Sequence, residues 1–428
     1  MDRHGSTVGT QWRTRTRART EPCPATNGRP GADRLSALSD ELLLHILSFL
    51  GIRKAISTSF LSRRWRYLHH YLSSLDFSQG WDHGSAWFID RVLLLHAAPR
   101  IELFRLSIRV DSVDSSACGR QIDSRILFAV RRGVRVLDLD ILDEDPYDSD
   151  SNEGNYGLPP WNVEDFSVRN CHLRLPSHIR LVSLKKMRLS LTEFRDDALK
   201  RLLLGCPLLQ SLELVRWNKA SDLVVDARES RKLEELLIVE RFDDDLPKHY
   251  PMKMQNDAPS VKYLRFHGAA LRRQYEVRDL SSLDAASFDL DESRVLYEAA
   301  DVFTTGLLLR IHQVRVLKLC TWSLQALSIR EQRGDLVSAF PCVTTLELKI
   351  ELEEPELLAN ILSALCACNK LRTLVLCIMM EFHNCDSDET ESPRVLLALD
   401  SDIVMRDLKT IMIQGLTRYN HHLGEEDV

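Results

Sequence analysis

LLLGCPLLQSLEL, residues 202–214, packs a helix end, a chain break and a strand into one short run. Upstream, Asp196–Leu204 reads as a helix in which Ala198, Leu199, Leu202 and Leu203 share one apolar face. Gly205-Cys206-Pro207 then stops it. Leu209, Leu212 and Leu214 follow as apolar-x-x-apolar-x-apolar. That alternation predicts a short strand with one buried side.

The same unit recurs after residue 100. It appears as Ile101/Phe104/Leu106, Val134/Leu137/Leu139, Val163/Phe166/Val168 and Leu184/Met187/Leu189. It continues as Leu233/Leu236/Ile238, Val261/Leu264/Phe266 and, weakly, Leu283/Ala286/Phe288. Val314/Leu317/Leu319, Val343/Leu346/Leu348, Leu371/Leu374/Leu376 and Leu408/Ile411/Ile413 complete the series. Successive units lie about 20–37 residues apart, which overlaps and exceeds the leucine-rich-repeat period. One unit has Cys171 in the Asn/Cys slot of the fuller repeat, with Leu173 after it. No unit can bury its apolar face alone, so the units must stack. The expected fold is α/β: an irregular horseshoe-shaped solenoid with a parallel sheet on its concave side. The strands should be parallel because a crossover of a dozen or more residues separates each from the next. An ordinary α/β domain with irregular βα units is the competing reading, and the number of aligned units disfavours it. Leu212, Leu236, Leu264, Leu317, Leu346 and Leu374 should all point into one continuous core.

Ahead of the repeats, residues 33–77 read DRLSALSDELLLHILSFLGIRKAISTSFLSRRWRYLHHYLSSLDF. Ser39 is a candidate N-cap, and Asp40 and Glu41 sit where a helix start favours negative charge. Leu42, Leu43, Ile46, Leu47, Phe49 and Leu50 recur at helical spacing before Gly51 ends the run. Ala55, Ile56 and Phe60 follow a basic turn, and Leu61, Trp65, Leu68 and Leu72 form a third apolar stripe. Three short helices of this size rarely make a stable core unaided. An apolar face left over implies a partner. The bland alternative is a helical cap on the end of a larger domain.

The order of residue types across 33–77 resembles the F-box, the adaptor-docking module of Skp–cullin–F-box ubiquitin ligases. Leu38 matches the Leu of the family's opening Leu-Pro pair, and Leu42, Ile46, Leu47, Phe49 and Leu50 match its first long helix. Leu61-Ser62-Arg63-Arg64-Trp65-Arg66 looks like the plant form of its last helix, and Leu75-Asp76-Phe77 matches its exit. Ser39 departs from the family Pro but can cap the same helix. His69-His70 stand near where a second Trp is common, which puts one peripheral contact in doubt. LLLGCPLLQSLEL and RGVRVLDLDI at 132–141 look like plant F-box proteins with leucine-rich repeats. The resemblance implies a small all-α three-helix F-box over 33–77, a helical linker over 78–100 and a leucine-rich-repeat solenoid over 101–428, behind an Arg-rich tail at 1–32. It implies adaptor contacts from Leu38, Leu42, Ile46, Leu47, Phe49, Leu50, Leu61 and Trp65. The partners it implies are a Skp-type adaptor, through it a cullin, and a target protein held by the repeats.

Composition narrows the function further. The formal net charge of −6 over 428 residues gives no reason to expect nucleic acid as a general partner. No apolar run approaches the roughly 20 residues needed to cross a membrane. No secretory signal is recognisable, and ten scattered cysteines fit a reducing compartment, cytoplasm or nucleus. The tail around QWRTRTRART reads as disordered, with a transit peptide and a basic nucleic-acid arm as sharper alternatives. DEDPYDSDSNEG at 143–154 and the acidic stretch His383–Ser392 read as solvated loops. Cys366, Cys368, Cys377, His383 and Cys385 could suggest a metal, but they lack paired knuckle spacing and are better explained as packing thiols. No metal or other cofactor is expected.

No catalytic constellation emerges: there is no Walker A loop, no G-x-S-x-G elbow and no H-E-x-x-H. His69-His70 and His421-His422 read as solvent-facing. The leading expectation is a non-catalytic substrate receptor of a ubiquitin ligase, acting through proximity. The alternative is a non-ligase scaffold. On the concave face most side chains should be charged or small: Arg105, Asp138, Arg169, Arg188, Glu213, Lys318, Glu347 and Lys349. Val215, Leu237 and Val239, with Trp217 just beyond, break that pattern and form a candidate target-binding patch.

Overall fold

The structure is a computed structural model that describes residues 35, 38–78, 86–110, 115–143, 162–169, 180–191, 198–217, 222–241, 253–268, 273–290, 297–331, 339–351, 357–380 and 405–418. Within them runs one parallel sheet. Its strands are β1 (Ser74–Phe77), β2 (Leu103–Val110), β3 (Val136–Asp143), β4 (Asp165–Arg169), β5 (Lys186–Leu191) and β6 (Ser211–Trp217). It continues through β8 (Glu235–Arg241), β10 (Tyr263–Gly268), β12 (Ala285–Leu290), β13 (Val316–Cys320), β14 (Thr345–Glu351), β15 (Thr373–Met380) and β16 (Thr410–Arg418). Each of the twelve sequence units supplies one strand, from β2 to β16.

The register is what makes this a solenoid. Phe104, Leu137, Phe166, Met187, Leu212, Leu236, Leu264, Ala286, Leu317, Leu346, Leu374 and Ile411 stand opposite one another, strand after strand. All but the last are buried in one continuous core. The six leucines expected to share that core do so. Ile411 and Ile413, on the terminal strand, are exposed.

Helices fill the crossovers where the sequence is amphipathic. They are α4 (Ser115–Arg131), α5 (Ala198–Leu204), α6 (Tyr297–Gly306), α7 (Thr321–Glu331) and α8 (Leu357–Ala367). Leu199, Leu202 and Leu203 of α5 are buried, as their spacing requires. Three crossovers are extended instead. Strands β7 (Leu223–Asp226), β9 (Lys253–Asp257) and β11 (Gln274–Asp279) form a second parallel sheet, ordered β11-β9-β7. The repeat unit did not reveal this sheet, although Leu223 and Val225 alternate inward in a run of β-branched residues. Its strands end in register on Asp226, Asp257 and Asp279. Like charges stacked this way repel. Hydrogen bonds from Arg228, then Lys200, hold the Asp226 carboxyl far below the usual carboxylate range.

The two sheets meet over an aromatic cluster. Phe303 of α6 lies with ring centroids 5.6 Å from Phe266, 5.4 Å from Tyr275 and 5.5 Å from Phe288. Close approach demands glycine nearby: a Cβ on Gly306 would meet the Tyr275 carbonyl oxygen at 2.4 Å.

The N-terminal module comprises α1 (Asp40–Ser48), α2 (Ile52–Ser57) and two 3₁₀ helices, Thr58–Phe60 and Trp65–Tyr71. The third stripe is thus 3₁₀ rather than α, and Trp65 and Leu68, three apart, share its buried side. Ser39 caps α1 by accepting from the Leu42 N–H at 3.4 Å. Leu75-Asp76-Phe77, matched to the family exit, belongs to β1, the first strand of the long sheet, with Leu75 and Phe77 fully buried against the solenoid core.

His69 and His70, expected to face solvent, are half-buried, and the backbone of His70 helps join the module to the solenoid. The His70 carbonyl accepts from the N–H groups of Ala97 and Ala98, just beyond α3 (Ala86–Leu95). Buried His96 pairs its Nε2 with the Leu72 carbonyl at 2.9 Å, and Arg132 donates to the His96 carbonyl. Burial pushes His69 down from 6.5 to about 4, helped by neighbouring His70, and burial also lowers His70 and His96. A base with a lowered folded pKa stabilises fully above its unfolded pKa and loses that contribution as pH falls below it. For His69 the loss runs from pH 6.5 toward about 4. The melting temperature should therefore fall between pH 7 and pH 5, and His69→Gln should narrow the fall. An undiminished fall in the variant would assign the acid sensitivity elsewhere.

Candidate functional site

Two surfaces stand out. The first is on α1, which is apolar on both sides. Leu43 and Leu47, four residues apart, point inward onto the cluster that contains Ile52, Ala55, Trp65 and Leu68. Leu42, Ile46, Phe49 and Leu50 point outward and are exposed, Phe49 by 76%. Leu61 adds to this surface at 69% exposure, and Phe60 beside it at 92%. Leu38 is half-buried. Arg64 steadies the start of the helix, pairing with Asp40 at 2.6 Å and donating to the Leu38 carbonyl.

Leu47 and Trp65 correct the expected contact set. Both are buried within the module, so neither belongs to its exposed apolar face. For Leu47 the reason is the 3.6-residue period, which puts residues of one pattern on opposite faces of α1; Trp65 lies on the buried side of the 3₁₀ helix.

The second surface is the open face of the long sheet, opposite the crossovers. Its side chains are tied by ion pairs between strands that are neighbours or, for Lys349 and Asp289, have one strand between them. Arg105 bridges Asp76 and Asp138, each at 2.9 Å, and Arg169 approaches Asp138 at 3.5 Å. Arg188 pairs with Glu213 at 2.7 Å and Lys318 with Glu347 at 2.6 Å. Lys349 pairs with Asp289 at 2.5 Å, and His267 stands 3.7 Å from the same carboxylate. Burial works against the Asp289 charge, but bonds from His267 and Lys349 outweigh it and hold the carboxyl at about 2.

The pattern breaks at β8 and β10. Here lies a cleft of about 290 Å³ walled by Arg188, Glu213, Glu235, Leu237 and Arg265. Val215 and Leu237 are half-buried. Val239 is only 2% exposed, so it leaves the candidate patch. It stands between Val215 and His267 in the register, and neighbours on the inner side of a curved sheet crowd a short side chain. Trp217 ends β6, and its side chain lies outside the described residues.

Comparison with known families decides what carries the first surface. Residues 35–68 match the F-box domain. An F-box/FBD/LRR-repeat protein of Arabidopsis thaliana is 30% identical over 302 residues, covering 67% of this chain and 65% of that protein. An F-box/LRR-repeat protein of the same plant is 30% identical over 316 residues, covering 72% of this chain and 63% of its own length. A putative F-box/LRR-repeat protein is 29% identical over 331 residues, 76% of this chain and 67% of its own. The chain belongs with the F-box/leucine-rich-repeat proteins. It spans just under two thirds of the length of the first two of these relatives. F-box/LRR proteins are generally a non-catalytic class.

The F-box match ends at residue 68, so the exposed apolar surface at α1 and Leu61 lies inside it. The cleft at Leu237 lies far outside it, on the repeats. Arg265 and Glu235 escaped the sequence reading because charge at an open-face position looked ordinary. Only the register shows that Arg265 lies between Leu237 and Ser287, neither of which carries a charge to neutralise it. Of the thiols once weighed as metal ligands, Cys366 is exposed while Cys368 is buried, its thiol pushed up to about 12 by burial. His383, Cys385, Cys171 and Leu173, most of the acidic 143–154 stretch, residues 383–392, the 1–32 tail and His421-His422 lie outside the described residues. Among the described residues no helix is long and apolar enough to cross a membrane.

Proposed function

We propose that the chain is the substrate-receptor subunit of a Skp–cullin–F-box E3 ubiquitin ligase. In this reading Leu38, Leu42, Ile46, Phe49, Leu50 and Leu61 dock a Skp-type adaptor, and the open face of the repeats holds the protein to be ubiquitinated. The observation that carries the reading is the outward apolar face of α1 within a matched F-box. Two exposed apolar residues on α1, Leu42 and Ile46, continued by Phe49 and Leu50 at its C-terminal end, are unfavourable in water unless a partner covers them. The receptor performs no covalent step; it raises the local concentration of target lysines near the conjugating enzyme. The module shares a strand with the solenoid, which supports a fixed spacing between adaptor and target.

The test is co-purification of the full chain with a Skp-type adaptor and a cullin. Recovery of both in one complex is the expected result. Recovery of the adaptor without cullin favours the scaffold reading, and recovery of neither overturns the assignment.

A further inference from the structure

The open face neutralises its own charges almost everywhere. Along the register row that runs from Asp76 to Val375, the charged side chains at Arg105, Asp138, Arg188, Glu213, Lys318 and Glu347 are all paired. Arg265 is the exception among the described residues of that row. Its row neighbours are Leu237 on β8 and Ser287 on β12, and it forms no ion pair with Glu235, its diagonal neighbour in the same cleft. Arg265 is exposed and Leu237 beside it is half-buried. Adjacent strands lie about 4.8 Å apart, so a cation and an apolar contact point stand within one residue's reach of each other. The Arg188–Glu213 pair closes the opposite wall and carries no net charge.

We infer that this cleft receives an extended peptide segment of the target in which an acidic residue stands beside a bulky apolar one. The carboxylate pairs with Arg265, whose planar guanidinium suits bidentate recognition. The apolar side chain covers Leu237. Glu235, on the rim, is left to accept from the peptide's own N–H groups, and its charge sets the limit on affinity for acidic segments. This rests on the substrate-receptor reading and names the chemistry of what that receptor selects.

The experiment uses the full chain purified with its adaptor, on an array of synthetic ten-residue peptides. Each peptide carries Glu, Gln or Lys next to Leu or Ser. The expected order places Glu-Leu first. Arg265→Glu should lower Glu-Leu retention about tenfold, corresponding to about 1.4 kcal/mol, and move the preference to Lys-Leu. Leu237→Ser should remove the preference for Leu over Ser. Glu235→Gln should raise Glu-Leu retention about twofold, the size of an exposed charge interaction. Equal retention of Glu-Leu and Lys-Leu by the wild type, or an unchanged preference in Arg265→Glu, overturns the inference. So does a preference for phosphatidylserine vesicles or DNA over the peptides. Adaptor capture, scored on the same samples, reports separately: its loss in the wild type would count against the receptor reading and leave the peptide result standing.

Discussion

Leu42→Asp combined with Phe49→Arg is expected to abolish adaptor capture while leaving the melting temperature of the full chain unchanged. Both side chains are more than half exposed. Leu42 lies in the first turn of α1, where a carboxylate is favoured, and Phe49 caps its C-terminal end, where a cation is favoured. The double variant therefore keeps the helix and removes two apolar anchors. Each anchor at an interface centre contributes about 2 kcal/mol or more, so loss of both should weaken capture by roughly a thousandfold. Leu47→Asp should also abolish capture, but by a different route. Leu47 is fully buried, and an unpaired carboxylate there costs several kcal/mol, so the module should unfold. Adaptor pull-down and thermal melting, measured together, separate the two. Full capture by the exposed-face double variant would move the docking surface off α1.

Phe303→Ala should be the most disruptive single truncation in the solenoid. The ring is wholly buried and touches Phe266, Tyr275 and Phe288, which belong to both sheets. Truncating a buried Phe costs about 3–5 kcal/mol, and the lost ring pairs fall within that cost. Repeats contact only their neighbours, so the loss should be local. Hydrogen exchange should rise in β9 to β12 and stay slow in β2 to β5. A shift in denaturation midpoint with uniform exchange along the sheet would show instead that the solenoid unfolds as one unit. No shift at all would mean the cluster does not couple the sheets.

The residue types of the proposed docking face were legible in advance, but not which of them are exposed: Leu47 and Trp65 are buried. A family pattern records residue type and order, and α1 satisfies it with leucines on both faces. Which ones point outward depends on where Ile52, Ala55, Trp65 and Leu68 close against the helix. The target patch shows the same limit. Val215, Leu237 and Val239 share the register row expected of them or the one beside it, yet Val239 is buried, and Arg265, which has no ion pair among the described residues, was not singled out.

The alternation of apolar residues was enough to determine the strands of the twelve units, their order in the long sheet and, except at the exposed Ile411 and Ile413 of the last, their buried sides, because a period of two fixes which face each side chain takes. It also implied parallel pairing, through the length of the crossovers. Stacking decided the rest. The second sheet exists because β7, β9 and β11 lie over one another, with Asp226, Asp257 and Asp279 in line, and no single repeat contains that information. The joining of the F-box to the repeats through Ser74–Phe77, and the partner that each open-face charge finds, likewise depend on residues tens of positions apart meeting across neighbouring strands.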